Sequence, residues 1–258
     1  MSASNDSIKK TITVSVLLCL VCSVLVSGAA VLLRDTQKQN KQLDKQRSIL
    51  EIAGLMQSGQ PIAEQFKSIT PKIVDLQTGQ FTDKVKASSY DQRKAAKDPK
   101  QSDIVPSNQD VASIKRQAHY ATVYVVEKNN TIDTIILPVH GYGLWSTMYG
   151  FLALKGDTKT VVGFGFYDQG ETPGLGGEVD NPKWKSQWPG KVVYDDQFQV
   201  KIDLIKGGAN PSNPNFDHQV DGLAGATLTT RGVENLLHYW LGENGFGPFL
   251  ANLRAGKA

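Results

Sequence analysis

Residues 11–33 contain no charged side chain and are rich in Val, Leu and Ile. At a rise of ~1.5 Å per residue, a helix of that length reaches across a hydrocarbon core ~30 Å thick. This stretch constrains the chain more than any other, because it ties whatever folds after it to a membrane. Lys9 and Lys10 precede the apolar run, and Arg34-Asp35 ends it. Ser27-Gly28-Ala29 has the small-x-small pattern of a signal-peptide cleavage site. An h-region spans about 7–15 residues, however, and this run continues past the candidate site through Val31-Leu32-Leu33, which favours a retained helix. Cys19 and Cys22 are the chain's two cysteines, and both lie inside the run. With no second pair and no histidine nearby, they read as small apolar residues of a membrane helix rather than as a metal or redox pair. No lipobox precedes either of them.

Two lysines flank the span on its N-terminal side, against Arg34, Lys38, Lys41, Lys45 and Arg47 after it. That bias alone would keep the following domain in the cytoplasm, although long domains translocate largely regardless of flanking charge. Lys plus Arg is 28 against Asp plus Glu at 25, a balance of +3. The excess is too small to imply a nucleic-acid partner, and no basic stripe with interleaved aromatics occurs.

Residues 35–56 read as a helix continuing out of the membrane, with Leu43, Ile49, Leu50, Ile52 and Met56 as contact positions. Residues 84–109 are polar, with Asp98-Pro99 and Val105-Pro106, and read as a long exposed loop. From residue 121 the texture changes to short β-rich runs, giving candidate strands at 121–126, 131–137, 147–154, 160–167 and 199–205. Near the end, Val233, Leu236, Leu237, Trp240 and Leu241 recur at helical spacing. Strands followed by a packing helix predict an α+β domain with a mainly antiparallel sheet. The expected organisation is an anchor over 1–34, a juxtamembrane helix and polar connecting region over 35–110, and a domain over 111–258. No G-x-G-x-x-G opening a βαβ unit and no G-x-x-x-x-G-K-[ST] loop is present, which excludes nucleotide handling of those kinds.

The 24 glycines cluster between 141 and 177 and between 207 and 232, where backbone must turn sharply or approach a ligand closely. Three segments stand out. In Asp221-Gly222-Leu223-Ala224-Gly225-Ala226-Thr227, small residues leave the backbone bare and a hydroxyl sits just before the amphipathic helix. A phosphate there would meet backbone N–H groups and the positive end of the helix dipole. Thr229 and Thr230 can cap that helix and Arg231 adds charge, so a plain N-cap is the simpler alternative. Glu171-Thr172-Pro173-Gly174-Leu175-Gly176-Gly177 forms a tight turn after a strand; it can lay peptide planes and Leu175 against a flat ring, or serve as a hairpin turn. His140-Gly141-Tyr142-Gly143-Leu144-Trp145 offers an aromatic wall. His140 could be a base, but a lone histidine beside glycines is more often structural. Trp184 and Trp188, beside prolines, read as surface packing. No residue is assigned a catalytic role, and no metal set is expected.

The order Gly-Tyr-Gly-Leu-Trp, Glu-Thr-Pro-Gly-Leu-Gly, Asp-x-x-x-Gly-Ala-Thr resembles the covalent FMN-binding C subunit of the bacterial sodium-translocating NADH:quinone oxidoreductase, over essentially the whole chain. The resemblance implies FMN held through a phosphoester on Thr227, within Gly225-Ala226-Thr227. Ala224 stands where many members have Ser or Thr. The family implies that Trp145, Thr172, Leu175, Gly176 and Thr229 surround the cofactor, and that Lys206 stabilises its reduced form electrostatically. It further implies a domain on the periplasmic face of the inner membrane, contrary to the charge bias, and attachment by a separate flavin transferase. Electrons would arrive from an iron–sulfur centre elsewhere in a complex that also holds an NADH dehydrogenase subunit. They would pass to a second covalent-flavin subunit, towards ubiquinone. The related alternatives are a flavoprotein like the G subunit of Rnf-type ferredoxin:NAD complexes and a non-catalytic membrane-tethered flavin-binding module.

Overall fold

The computed structural model describes residues 7–258, so the first six residues of the expected anchor lie outside the described residues. The chain divides into two compact units, 1–44 and 45–258. A single helix, α1 (Ile8–Ile52), runs through the first unit and contributes its last turns to the second. Its best 18-residue window has a mean hydropathy of 2.8 with none of that window buried, so it is long and apolar enough to cross a membrane. Leu17, Leu18, Val24, Leu25 and Leu32 are all more than half exposed, as lipid-facing side chains of a spanning helix are.

The second unit is built on a six-stranded antiparallel sheet with strand order β2-β1-β5-β6-β7-β8. Its strands are β1 (Thr70–Asp75), β2 (Gln80–Phe81), β5 (Tyr120–Lys128), β6 (Thr131–Tyr142), β7 (Thr147–Lys155) and β8 (Val161–Asp168). Between β2 and β5 lie α3 (Gln92–Ala95) and a hairpin-like pair, β3 (Ser102–Ile104) with β4 (Arg116–Ala118). The short helix α2 (Ile62–Gln65) precedes β1, and α4 (Pro182–Lys185) follows β8. A small parallel pair, β9 (Asp203–Ile205) with β10 (Gln219–Asp221), leads into α5 (Thr227–Leu241) and α6 (Gly247–Arg254).

Both faces of the sheet are buried, which explains why its strands read as nearly continuous apolar runs. Ala121, Val123 and Val125 point to one side, where Val233, Leu236, Leu237 and Trp240 of α5 complete the core. The alternate residues Tyr124 and Val126, with Ile136, Phe151 and Ala153, point to the other side and meet Ile49, Leu50 and Ala53 at the end of α1. The amphipathic period that identified α5 in the sequence is therefore its core face.

The α+β architecture agrees with expectation; β5, β7 and β8 stand within two residues of their expected limits, β6 runs five residues further, to Tyr142, and the expected 199–205 strand is reduced to β9. Three expectations need correction. The compact unit begins at Lys45 rather than at 111, because β1 pairs along its whole length with β5, from Thr70↔Val125 to Asp75↔Tyr120. The polar stretch 84–109 is not one open loop but carries α3 and β3, with Asp91 capping α3 by accepting from Lys94 N–H. Trp184 and Trp188 do not line the surface: both are buried against Phe164, at ring-centroid distances of 6.3 and 4.5 Å.

Leu50 is fully buried in the cluster that joins α1 to the sheet. Leu50→Ala should therefore lower the stability of the full chain by about 2–5 kcal/mol, from lost burial and the cavity left behind. Urea unfolding of the detergent-solubilised protein measures this; a loss below about 1 kcal/mol would mean that the end of α1 is not part of the core.

Candidate functional site

The three segments singled out in the sequence converge. β6 and β7 are joined by the turn at Gly143–Ser146, β8 is followed by the 171–177 loop, and α5 starts at Thr227. The residue that joins them is Glu171. It is only 5% exposed, and a carboxylate placed so needs donors to offset its lost hydration. Its Oε1 accepts from the backbone N–H of Trp145 at 3.0 Å and of Ser146 at 3.1 Å. Leu144 N–H donates to both oxygens at 3.2 Å, and the Thr229 hydroxyl donates to Oε2 at 2.7 Å. Burial alone would raise the Glu171 pKa; the Thr229 hydroxyl and the three backbone N–H groups outweigh it and hold the carboxyl below the ordinary glutamate range.

Two glycines make room for that carboxylate. A Cβ at Gly143 would lie 2.6 Å from Glu171 Oε1, and one at Gly176 would lie 2.5 Å from Thr229 Oγ1 and 2.8 Å from Glu171 Oε2. The glycines of these loops thus permit close approach within the protein itself.

Thr227 is the exposed first residue of α5. Ala226 occupies the N-cap position and supplies no side-chain cap. Among the described residues, no acceptor takes the backbone N–H groups of Thr227, Leu228 and Thr229. Gly225 has φ +73°, and a Cβ there would lie 3.3 Å from Leu175 Cδ2, so the Leu175 side chain overhangs the backbone just ahead of Thr227. Tyr142, Leu144, Trp145, Leu175 and Leu228 are all exposed on these three segments; outside them the compact domain leaves only Ile104, Val111 and Phe198 exposed among its large apolar side chains. Trp145 is the most exposed of the five, at 67%. A hydroxyl at an uncapped helix start, with exposed apolar side chains on the segments that Glu171 ties to that helix, is suited to a ligand with an anionic group and a flat apolar body.

The remaining expected residues fall as follows. Thr172 is exposed, and its carbonyl accepts from Leu175 and Gly177 N–H, closing the turn that presents Leu175. Lys206 is exposed immediately after β9, whose Ile205 carbonyl accepts from Gly222 N–H at 2.9 Å. Asp221 holds the intervening loop by accepting from Ala209 N–H at 2.7 Å. The expected capping by Thr229 and Thr230 is corrected. Both are buried within the first turns of α5, and Thr229 commits its hydroxyl to Glu171. Thr230 Oγ1 accepts from Leu223 N–H at 3.0 Å and donates to the Ala226 carbonyl at 3.0 Å, fastening the Gly-rich turn. His140 is structural. Its ring packs between Tyr149 and Trp240, at centroid distances of 5.3 and 4.9 Å, and burial, helped by the nearby Arg93 charge, pushes its pKa down to about 4. It stays neutral at physiological pH.

Glu171 was the residue that sequence reasoning left without a role. The available signal was a carboxylate set between Gly170 and a Thr-Pro-Gly turn, a poor place for a charge unless other segments supply its donors.

A family model described as an FMN-binding domain matches residues 143–242, which span all three segments. The C subunit of the Na(+)-translocating NADH-quinone reductase of Pseudomonas aeruginosa is 59% identical over 260 residues, covering 99% of this chain and 100% of the relative. The corresponding C subunit of Vibrio vulnificus is 53% identical over 255 residues, covering 98% of each. Among solved structures, Shewanella oneidensis NqrC matches with a TM-score of 0.77 at 34% identity, covering 84% of this chain and 99% of that one. The C-subunit structure from Parabacteroides distasonis matches with a TM-score of 0.64 at 27% identity, covering 84% of this chain and 96% of that one. With full-length relatives at this identity and the same fold around the same three segments, the chain belongs to the C-subunit family of the Na(+)-translocating NADH-quinone reductases.

Proposed function

We propose that this chain carries FMN covalently, through a phosphoester on Thr227, and relays electrons inside a sodium-pumping membrane complex towards ubiquinone. The observation that carries the reading is an exposed Thr227 at the uncapped start of a 15-residue helix whose Thr229 shares Glu171 with the Trp145 backbone, with Leu175 against Gly225. The exposed, bare backbone of Ala224 and Gly225 gives a flavin transferase access to the nucleophile. The first N–H groups of α5 and the positive end of its dipole favour the phosphodiester charge. Trp145, Leu175, Thr172 and Gly176 offer the apolar and peptide surfaces for an isoalloxazine ring, and Lys206 supplies a positive charge at the rim that favours the reduced cofactor. FMN, when bound, supplies the capacity to pass single electrons between a one-electron donor and acceptor.

The two full-length relatives, both C subunits of sodium-translocating reductases, favour this complex over an Rnf-type one. The partners proposed are the second covalent-flavin subunit, iron–sulfur-bearing subunits and an NADH dehydrogenase subunit, with α1 held in the inner membrane. Among the described residues no ionisable side chain other than the two cysteines lies within 11–33, so this helix offers sodium no charged site of its own.

Thr227→Ala should abolish covalent flavin, seen as loss of fluorescence from the denatured chain in a gel, while Thr227→Ser retains part of it. Fluorescence surviving Thr227→Ala would move the attachment elsewhere. The sidedness proposed is periplasmic, against the Lys and Arg bias after the span. Alkaline phosphatase fused after Ala258 should be active in a bacterial host; inactive phosphatase with an active cytoplasmic reporter at the same junction would reverse the topology.

A further inference from the structure

We propose that Glu171 is the positioning residue of the flavin cradle: its carboxylate draws the 144–146 turn and the first turn of α5 onto the 171–177 loop, and so fixes how Trp145 and Leu175 face a ring carried on Thr227. The proposal rests on the reading of FMN at Thr227.

Glu171 does not act by touching the ring. It is enclosed, and its oxygens are taken up by donors from residues 144–146, 25 to 27 positions away, and from Thr229, 58 positions away. A carboxylate only accepts hydrogen bonds, and all the groups facing it are donors, so the match is complete in chemistry as well as in distance. The consequence lies in what those donors carry. The Trp145 N–H fixes the backbone from which the exposed indole projects, and the Thr229 hydroxyl fixes the first turn of α5, two residues after the exposed Thr227. Leu175 follows four residues after Glu171 in the same loop and overhangs Gly225. One buried side chain therefore sets three elements of the cradle relative to one another, which a site needs in order to hold a ring in one orientation.

A glutamine side chain separates this role from general stability. Its carbonyl oxygen can accept from Trp145 and Ser146, while its amide faces Thr229, whose hydroxyl can turn to accept. The test uses the full chain, produced with the flavin transferase and purified in detergent, as wild type, Glu171→Ala, Glu171→Gln and Thr229→Val. Flavin attachment is read from fluorescence of the denatured chain, and ring orientation from visible circular dichroism per attached flavin. In Glu171→Ala, attachment should persist while the dichroism falls to less than about half of the wild-type signal; in Glu171→Gln most of it should return, with Thr229→Val between the two. Wild-type dichroism in Glu171→Ala would overturn the proposal. So would equal losses in the alanine and glutamine variants, or, should the alanine variant not fold, an unchanged signal in Thr229→Val. Absence of covalent flavin from the wild-type chain would instead sink the underlying reading of Thr227.

Discussion

A buried carboxylate has to be matched by donors, and in this fold the donors of Glu171 come from segments far apart in the chain. Hydrogen bonds to a charged group contribute about 1.5–3 kcal/mol each, and leaving such a group unmatched costs more than any one bond returns. The 143–146 turn, the 171–177 loop and the start of α5 are thereby coupled. Gly143 and Gly176 have no space for a Cβ because the Glu171 and Thr229 oxygens stand where one would go. The glycine clustering in the sequence thus records how tightly these segments approach one another.

The sheet makes that convergence possible. β6 and β7 are in register from Thr134↔Lys155 to Tyr142↔Thr147, which places their connecting turn at one end of the sheet, and β8 returns alongside β7 so that the 171–177 loop follows at that same end. α5 packs its Leu236, Leu237 and Trp240 face into the sheet's core, and the Trp240 indole N–H donates to the His140 carbonyl at 2.7 Å. Core packing thus seats the body of the helix while the Thr229–Glu171 bond holds its first turn, and Thr227 is left exposed at the helix start. The opposite sheet face is closed by Ile49 and Leu50, so the helix that begins as an apolar span ends as part of the domain core.

Much of this was legible from residues alone. The charge-free run, the short β-rich apolar runs and the 3.6-residue period of α5 each have a local signature, and the structure has all three. The β1 strand escaped notice because Thr-Pro-Lys opens it and proline argues against a strand; it survives near the sheet edge, with only the two-residue β2 beyond it. The tryptophans 184 and 188 looked like surface residues because prolines flank them, whereas their burial depends on Phe164 in a strand about 20 residues earlier. The partners of Glu171 are equally non-local. Nothing in the spacing of Glu171 and Thr229 announces a bond, so the three segments could be found singly in the sequence but the side chain that joins them could not. Thr229 shows the cost: local chemistry makes it a cap, and the tertiary structure makes it a donor to a buried carboxylate.

The central claim is a covalent flavin on Thr227, and mass is its most direct measure. Full-length chain purified from cells that contain the flavin transferase should exceed its sequence mass by FMN less one water. The excess should disappear on phosphoester cleavage and map to the peptide that contains Thr227. An unmodified chain from such cells, or an adduct mapped to another residue, would contradict the account.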